Sequence, residues 1–289
     1  MNRCLIFLCS LALAMVTVSS TCIASSADWV NFTLESGGNG KVHARFRNDE
    51  RGRDSNNWST SFPPSQLVGF DIAGFRGSST KPLRFAIVRE AGRLDCSGQG
   101  GNSMARGNCS FTPDAGFMQL LASRGIGRPN REQAFGLMAI NARRDLIQQV
   151  AAAGYPTPSI DDLMGLTALG VDGRYIRELA GQGYRPSSIE SLIQFKALGI
   201  TPAWIGGFSR VGYGNVPPDE LVQFKALGVT PDFVQGFERI GYGRLPVDTL
   251  VQFKALGITP EFARSAQQQR GRRPSADELV QMHLFGIRH

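Results

Sequence analysis

LVQFKALGVTPDFVQGFERIGYG, from Leu221 to Gly243, carries two short helical patterns separated by a stop and a new start. Leu221, Phe224 and Leu227 are spaced as one face of a helix. Pro217-Pro218-Asp219-Glu220 precedes them, placing proline where a helix tolerates it and acids at the positive end of the helix dipole. Gly228 suits the left-handed conformation that ends a helix, Thr230 caps a second helix, and Pro231 is that helix's first residue. Phe233, Val234, Phe237 and Ile240 supply the second apolar face. Gly241-Tyr242 closes it with the glycine and hydrophobic contact of a Schellman turn.

The same unit recurs at a fixed interval. Gly170, Gly199, Gly228, Gly257 and Gly286 stand 29 residues apart, and so do Tyr155, Tyr184, Tyr213 and Tyr242, each tyrosine preceded by glycine. Two independent combs at one period identify a repeat architecture. The period extends back to Gly125-Ile126, and Asn130 with Gln133, Ser159 with Asp162, and Ser275 with Glu278 have the spacing of capping boxes. Thr112-Pro113-Asp114 copies the helix-opening triplet Thr230-Pro231-Asp232, so the array is expected to run from Thr112 to His289 as an α-solenoid of ~29-residue helical hairpins. Gly206, Gly207 and Gly236 fall inside second helices, where glycine costs up to about 1 kcal/mol against alanine. Close helix packing is the reading that accounts for them.

Residues 25–111 differ in pattern. Trp29 to Glu35 and Lys41 to Arg47 alternate polar and apolar residues around the turn Gly37 to Gly40, and Leu83 to Arg89 and Gly107 to Phe111 read as further strands. Gly92 and Gly98 to Gly101 read as turns, and Asn48 to Gln66 as a long exposed loop. Trp29, Trp58 and Phe62 read as core aromatics. The expected fold class is α+β with several domains: a small antiparallel β domain over 25–111, joined without a flexible linker to the solenoid over 112–289.

Residues 1–24 combine Arg3, an apolar run from Cys4 to Val18, and small residues before Ser25, the pattern of a cleaved signal peptide. Export places the chain in the periplasm or outside the cell and leaves Cys96 and Cys109 as the mature cysteines, a candidate disulfide across a hairpin. No second apolar run suggests an integral membrane segment after signal cleavage. The net charge of +7 is spread among acids without a nucleic-acid motif, so no nucleic-acid partner is expected. Histidine occurs only at His43, His283 and His289, no phosphate loop or nucleophile motif is present, and no cofactor or metal is implied. A binding or scaffold role follows. The alternative is a carboxylate-dependent hydrolase of an envelope glycan or peptide, using for instance Asp71 and Asp95.

Lys196, Lys225 and Lys254 share one repeat position, each two residues after Gln194, Gln223 or Gln252. Stacking would align these six as a candidate partner-binding row for an extended protein or peptide on the concave face, or the lysines suit the helix dipole at a C-terminus. The F-K-A-L-G-[IV]-T-P units with their Gly-Tyr spacers resemble repeats of uncharacterised exported bacterial proteins. They are also similar to the extracytoplasmic tails of membrane metallopeptidases related to β-lactam sensors. The likeness covers Asp145 to Ile287 well and Phe85 to Phe111 loosely. It implies a bacterial envelope location and an accessory role, and it carries over no catalytic residue, because the H-E-x-x-H zinc motif of those peptidases is absent.

Overall fold

The computed structural model describes residues 29–48 and 57–286. The signal peptide expected over 1–24 and the terminal Ile287 to His289 lie outside the described residues. Six antiparallel strands come first: β1 (Trp29–Ser36), β2 (Val42–Asn48), β3 (Asn57–Phe62), β4 (Lys81–Arg89), β5 (Gly92–Gly101) and β6 (Met104–Pro113), in the order β3-β2-β1-β6-β5-β4. A five-residue helix, α1 (Ile72–Arg76), lies between β3 and β4, with the Asp71 carboxylate accepting from the Gly74 N–H at 3.0 Å. The helical part follows at once, giving an α+β layout.

One face of the sheet is apolar because cross-strand partners share a side. Phe32 pairs with Phe46 and Gly107, Cys96 with Phe85 and Cys109, and Leu94 with Ile87 and Phe111. Nearly all of these side chains are buried. The two edge strands also meet through side chains. Arg89 on β4 places its guanidinium 5.2 Å from the centre of the Trp58 ring and 5.7 Å from that of Phe62, both on β3, so the sheet curls until its edges face each other.

Two expectations for this region are corrected. The span Asn48 to Gln66 contains β3 rather than one long loop; Trp58 stacks on Phe46 at 4.7 Å and Phe62 is buried, while Asn57, Ser59 and Ser61 face outward. Its polar residues are the solvent side of a strand. The glycines at 92 and 98–101 lie in β5 and not in turns, because Gly98 faces Gly107 across the ladder and a Cβ on Gly107 would stand 2.8 Å from the Phe32 ring. The turn is made instead by Asn102 and Ser103, both at positive φ (53° and 61°), the conformation of a tight two-residue hairpin.

The helices fall into two series, each at the 29-residue period. The first is α3 (Arg131–Ala139), α5 (Ile160–Ala168), α7 (Ile189–Ala197), α9 (Pro218–Leu227), α11 (Val247–Leu256) and α13 (Ala276–Phe285). The second is α2 (Ala115–Ser123), α4 (Arg144–Ala152), α6 (Gly173–Gly181), α8 (Pro202–Arg210), α10 (Pro231–Arg239) and α12 (Pro260–Arg270). Helices of one series pack on each other: α3 on α5, α5 on α7, α9 on α11, and α4 on α6, α6 on α8, α10 on α12. Leu163, Leu192, Leu221, Leu250 and Leu279 form one fully buried column through the first series.

Local chemistry sets the ends. Asp172, Thr201, Thr230 and Thr259 cap α6, α8, α10 and α12 with side-chain oxygens, and reciprocal capping boxes form at Asn130, Ser159 and Ser275. The Tyr155, Tyr184, Tyr213 and Tyr242 amides each donate five residues back, closing Schellman turns at left-handed glycines. The triplet at Thr112 is out of step by two residues: Thr112 and Pro113 finish β6, and Asp114 alone caps α2, accepting from the Phe117 N–H. Strand and helix therefore adjoin with no linker, and one continuous apolar core runs from β1 to α13.

The helical glycines mark close packing. A Cβ on Gly207 would stand 2.8 Å from Cγ of Pro231, and one on Gly236 would stand 2.6 Å from Cγ of Pro260. Each proline is the first residue of the next helix in its series, so the missing side chain is what lets the ring in.

Candidate partner-binding face

Lys196, Lys225 and Lys254 sit in the last turns of α7, α9 and α11, where a cation complements the helix dipole. Each ammonium also lies over a ring of the second-series helix just before it: Lys196 over Tyr175 at 4.3 Å, Lys225 over Trp204 at 4.8 Å, Lys254 over Phe233 at 4.8 Å. The rings share one repeat position, 21 residues before each lysine, and the next members, Phe262 and His283, meet edge to face at 5.1 Å. The lysine stems are half-buried; Cε of Lys225 comes within 3.9 Å of a Cβ built on Gly199. Gln194, Gln223 and Gln252 are exposed beside them.

This arrangement fixes cations that a free lysine would leave mobile. A ring under an ammonium contributes about 0.5–1 kcal/mol at an exposed site and restricts a stem with about 2 kcal/mol of rotamer entropy. The row is therefore both a packing element and a set of held positive charges. The sequence supplies the signal for the rings, since 175, 204, 233 and 262 keep the array's period, but Tyr, Trp and Phe at one position obscure it.

A second set of cation–ring pairs uses the Gly-Tyr spacers. Arg185 lies over Tyr155, Arg244 over Tyr213 and Arg273 over Tyr242, at 5.7, 5.2 and 5.9 Å. The Tyr213 hydroxyl donates to the Leu245 carbonyl at 2.6 Å and that of Tyr175 to Ile200 at 2.7 Å. Burial pushes the pKa of these phenols up, which suits their role as donors within the stack.

The other candidate residues have structural partners. Cys96 and Cys109 face each other on β5 and β6 and are bonded, with Cα atoms 4.0 Å apart. Asp71 caps α1, and Asp95 accepts from the Nε–H of Arg93, which stands 2.8 and 2.9 Å from its two carboxylate oxygens. Among the described residues no group of three or more His, Cys, Asp or Glu could hold a metal, and no helix is long and apolar enough to cross a membrane. Compared with known proteins, the chain matches no protein-family model and no curated protein.

Proposed function

We propose that this is an exported binding or scaffold protein of the bacterial envelope, in which the two helix series form an α-solenoid and the Lys/Gln row meets an extended acidic peptide or protein segment. The observation that carries the reading is the row itself: three ring-seated ammonium groups at one repeat position, each beside an exposed glutamine. Packed helices lie roughly 8–10 Å apart, and an extended chain advances roughly 3.3 Å per residue, so a partner with an acid at every third residue could reach successive lysines. The disulfide favours an oxidising compartment, and the likeness to exported bacterial repeat proteins supports the same location.

The test uses immobilised mature protein and envelope extract, with a synthetic acidic peptide of three-residue charge spacing as a defined probe. Lys196→Arg/Lys225→Arg/Lys254→Arg retains both charge and ring contact and should keep the partner. The corresponding triple Lys→Gln variant should lose it and lower the melting temperature modestly, because three ring contacts go with the charges. Gln194→Ala/Gln223→Ala/Gln252→Ala should weaken capture with no change in melting. Equal capture by all variants would place the binding surface elsewhere.

A further inference from the structure

The array contains its own control: a residue that departs from the repeat can be compared with what the other units hold in that place. Several departures coincide at one groove between α4, α5 and α6. Where later units hold a ring and a cation, this unit has Leu146 and Thr167. Where later second-series helices begin with proline, α6 begins with Gly173. Arg174 occupies a position held elsewhere by Asp145, Ala203, Asp232 or Glu261, and Arg177 one held by Gln148, Gly206, Gln235 or Arg264. The smaller pair leaves open a cleft of about 560 Å³, and Leu146, Thr167, Arg174 and Arg177 all line it.

The polar groups of the cleft divide into committed and free. Asp172 is occupied as the cap of α6, accepting from the Tyr175 N–H at 2.7 Å, and Asp145 pairs with Arg143 at 3.2 Å. Gln149 accepts from the Gly173 N–H at 2.7 Å through its carbonyl oxygen, which leaves its amide NH2 as a donor. Arg174 and Arg177 are exposed and make no ion pair among the described residues. Three residues apart on one helix, they are neighbours roughly 5–6 Å apart at Cβ, each with a planar fork of donors suited to an oxyanion.

We propose that this cleft is a binding site for a small oxyanion-bearing ligand, whose carboxylate or phosphate is gripped by Arg174 and Arg177 and oriented by the Gln149 amide. The site stands one unit before Lys196 in the same row, yet its chemistry does not depend on the lysines, so it can fail or hold independently of the partner reading.

The experiment is an amide NMR titration of the mature protein with citrate and, separately, with inorganic phosphate, at low and high salt. Saturable shifts confined to the α5–α6 turn and the start of α6 are expected with at least one probe, and the stronger of the two identifies carboxylate or phosphate as the preferred group. Arg174→Gln/Arg177→Gln should weaken that binding about tenfold or more while helicity is unchanged. Leu146→Tyr/Thr167→Lys, which restores the repeat's own ring and cation, should fill the cleft and abolish the shifts in a folded protein. No saturable shift with either probe up to about 10 mM, or binding that both double variants retain, would overturn the proposal.

Discussion

Glu90 caps a helix that belongs to the other half of the molecule. Its Oε2 accepts from the Arg144 N–H at 2.8 Å, at the first residue of α4, where Arg143 occupies the cap position and makes no side-chain cap bond. Arg144 returns the contact through its guanidinium, which pairs with Glu90 at 3.7 Å and with the α2 cap Asp114 at 2.7 Å. Close by, Arg89 donates to the Met138 carbonyl at 2.8 Å and to that of Ala139, at the C-terminal end of α3. Two consecutive residues of the β4–β5 corner thus satisfy the start of one helix and the end of another. Burial lowers the Arg89 pKa, and the carbonyl and ring contacts offset that desolvation.

Removing this cap should weaken the junction. Glu90→Ala is expected to cost about 1 kcal/mol, the usual loss for a helix N-cap. Arg143→Thr, which places in α4 the capping residue that α8, α10 and α12 possess, should recover most of it in the double variant. Urea unfolding of the four proteins in a double-mutant cycle checks this, and independent, additive losses would contradict the shared role.

Two glycine-to-alanine changes should have opposite signs. Gly181, in α6, has no atom within 4 Å of a built Cβ, so Gly181→Ala should stabilise by about 0.5 kcal/mol through helix propensity. Gly236→Ala gains the same propensity but drives a methyl to 2.6 Å from a proline ring carbon, which cannot swing aside. Overpacking of this kind costs about 1–3 kcal/mol, so the net change should be destabilising. Thermal unfolding of both variants reads the two signs directly.

Reduction should be felt in the sheet. The Cys96–Cys109 bridge closes a 13-residue separation, worth about 3 kcal/mol in the chain-entropy model. Cys96→Ala/Cys109→Ala should lower the unfolding midpoint in denaturant while helical circular dichroism of the native state is preserved. A midpoint unchanged from wild type would show that the hairpin needs no covalent support.

Acid should act on the last helix. Arg272 grips both Glu278 carboxylate oxygens, and the Ser275 N–H donates to one of them at 2.7 Å, pulling the Glu278 pKa down to about 2 from 4.5. The folded value is below the unfolded one. The stabilisation is therefore complete above pH 4.5 and disappears as pH falls from there toward about 2. Glu278→Gln should flatten the pH dependence of hydrogen exchange in α13 over that window, and an unaltered profile would refute the assignment.

The helical period was legible because the turns favour glycine: Gly228 and Gly257 adopt φ of 73° and 76°, a region that side chains disfavour and that, among the described non-glycine residues of the array, Asn141 alone takes, at φ 63°, one period before Gly170. The caps were legible for the same reason. β3 was hidden because Asn57, Ser59 and Ser61 face solvent and make a strand look like a loop. β5 was hidden because its glycines answer to neighbours across the sheet: a Cβ on Gly98 would collide with the Arg106 carbonyl oxygen, and one on Gly92 would stand 2.6 Å from the Phe111 ring. The lysine row could be found from spacing alone, whereas the rings beneath it vary in type. Arg143 at a capping position was a visible anomaly, but nothing local says that Glu90 supplies what it lacks.

Gly207 against Pro231 and Gly236 against Pro260 are the same joint made twice. A chain without residues 208–236 would bring Gly207 against Pro260, the same glycine–proline contact at the same repeat positions. The joint nearer the sheet is of another kind: a Cβ on Gly173 would stand 2.6 Å from the Gln149 side chain, where Gly207 and Gly236 meet proline rings. A change of length by one 29-residue period therefore meets matched joints between α8 and α12, a match that the Gln149–Gly173 joint beside the sheet does not share.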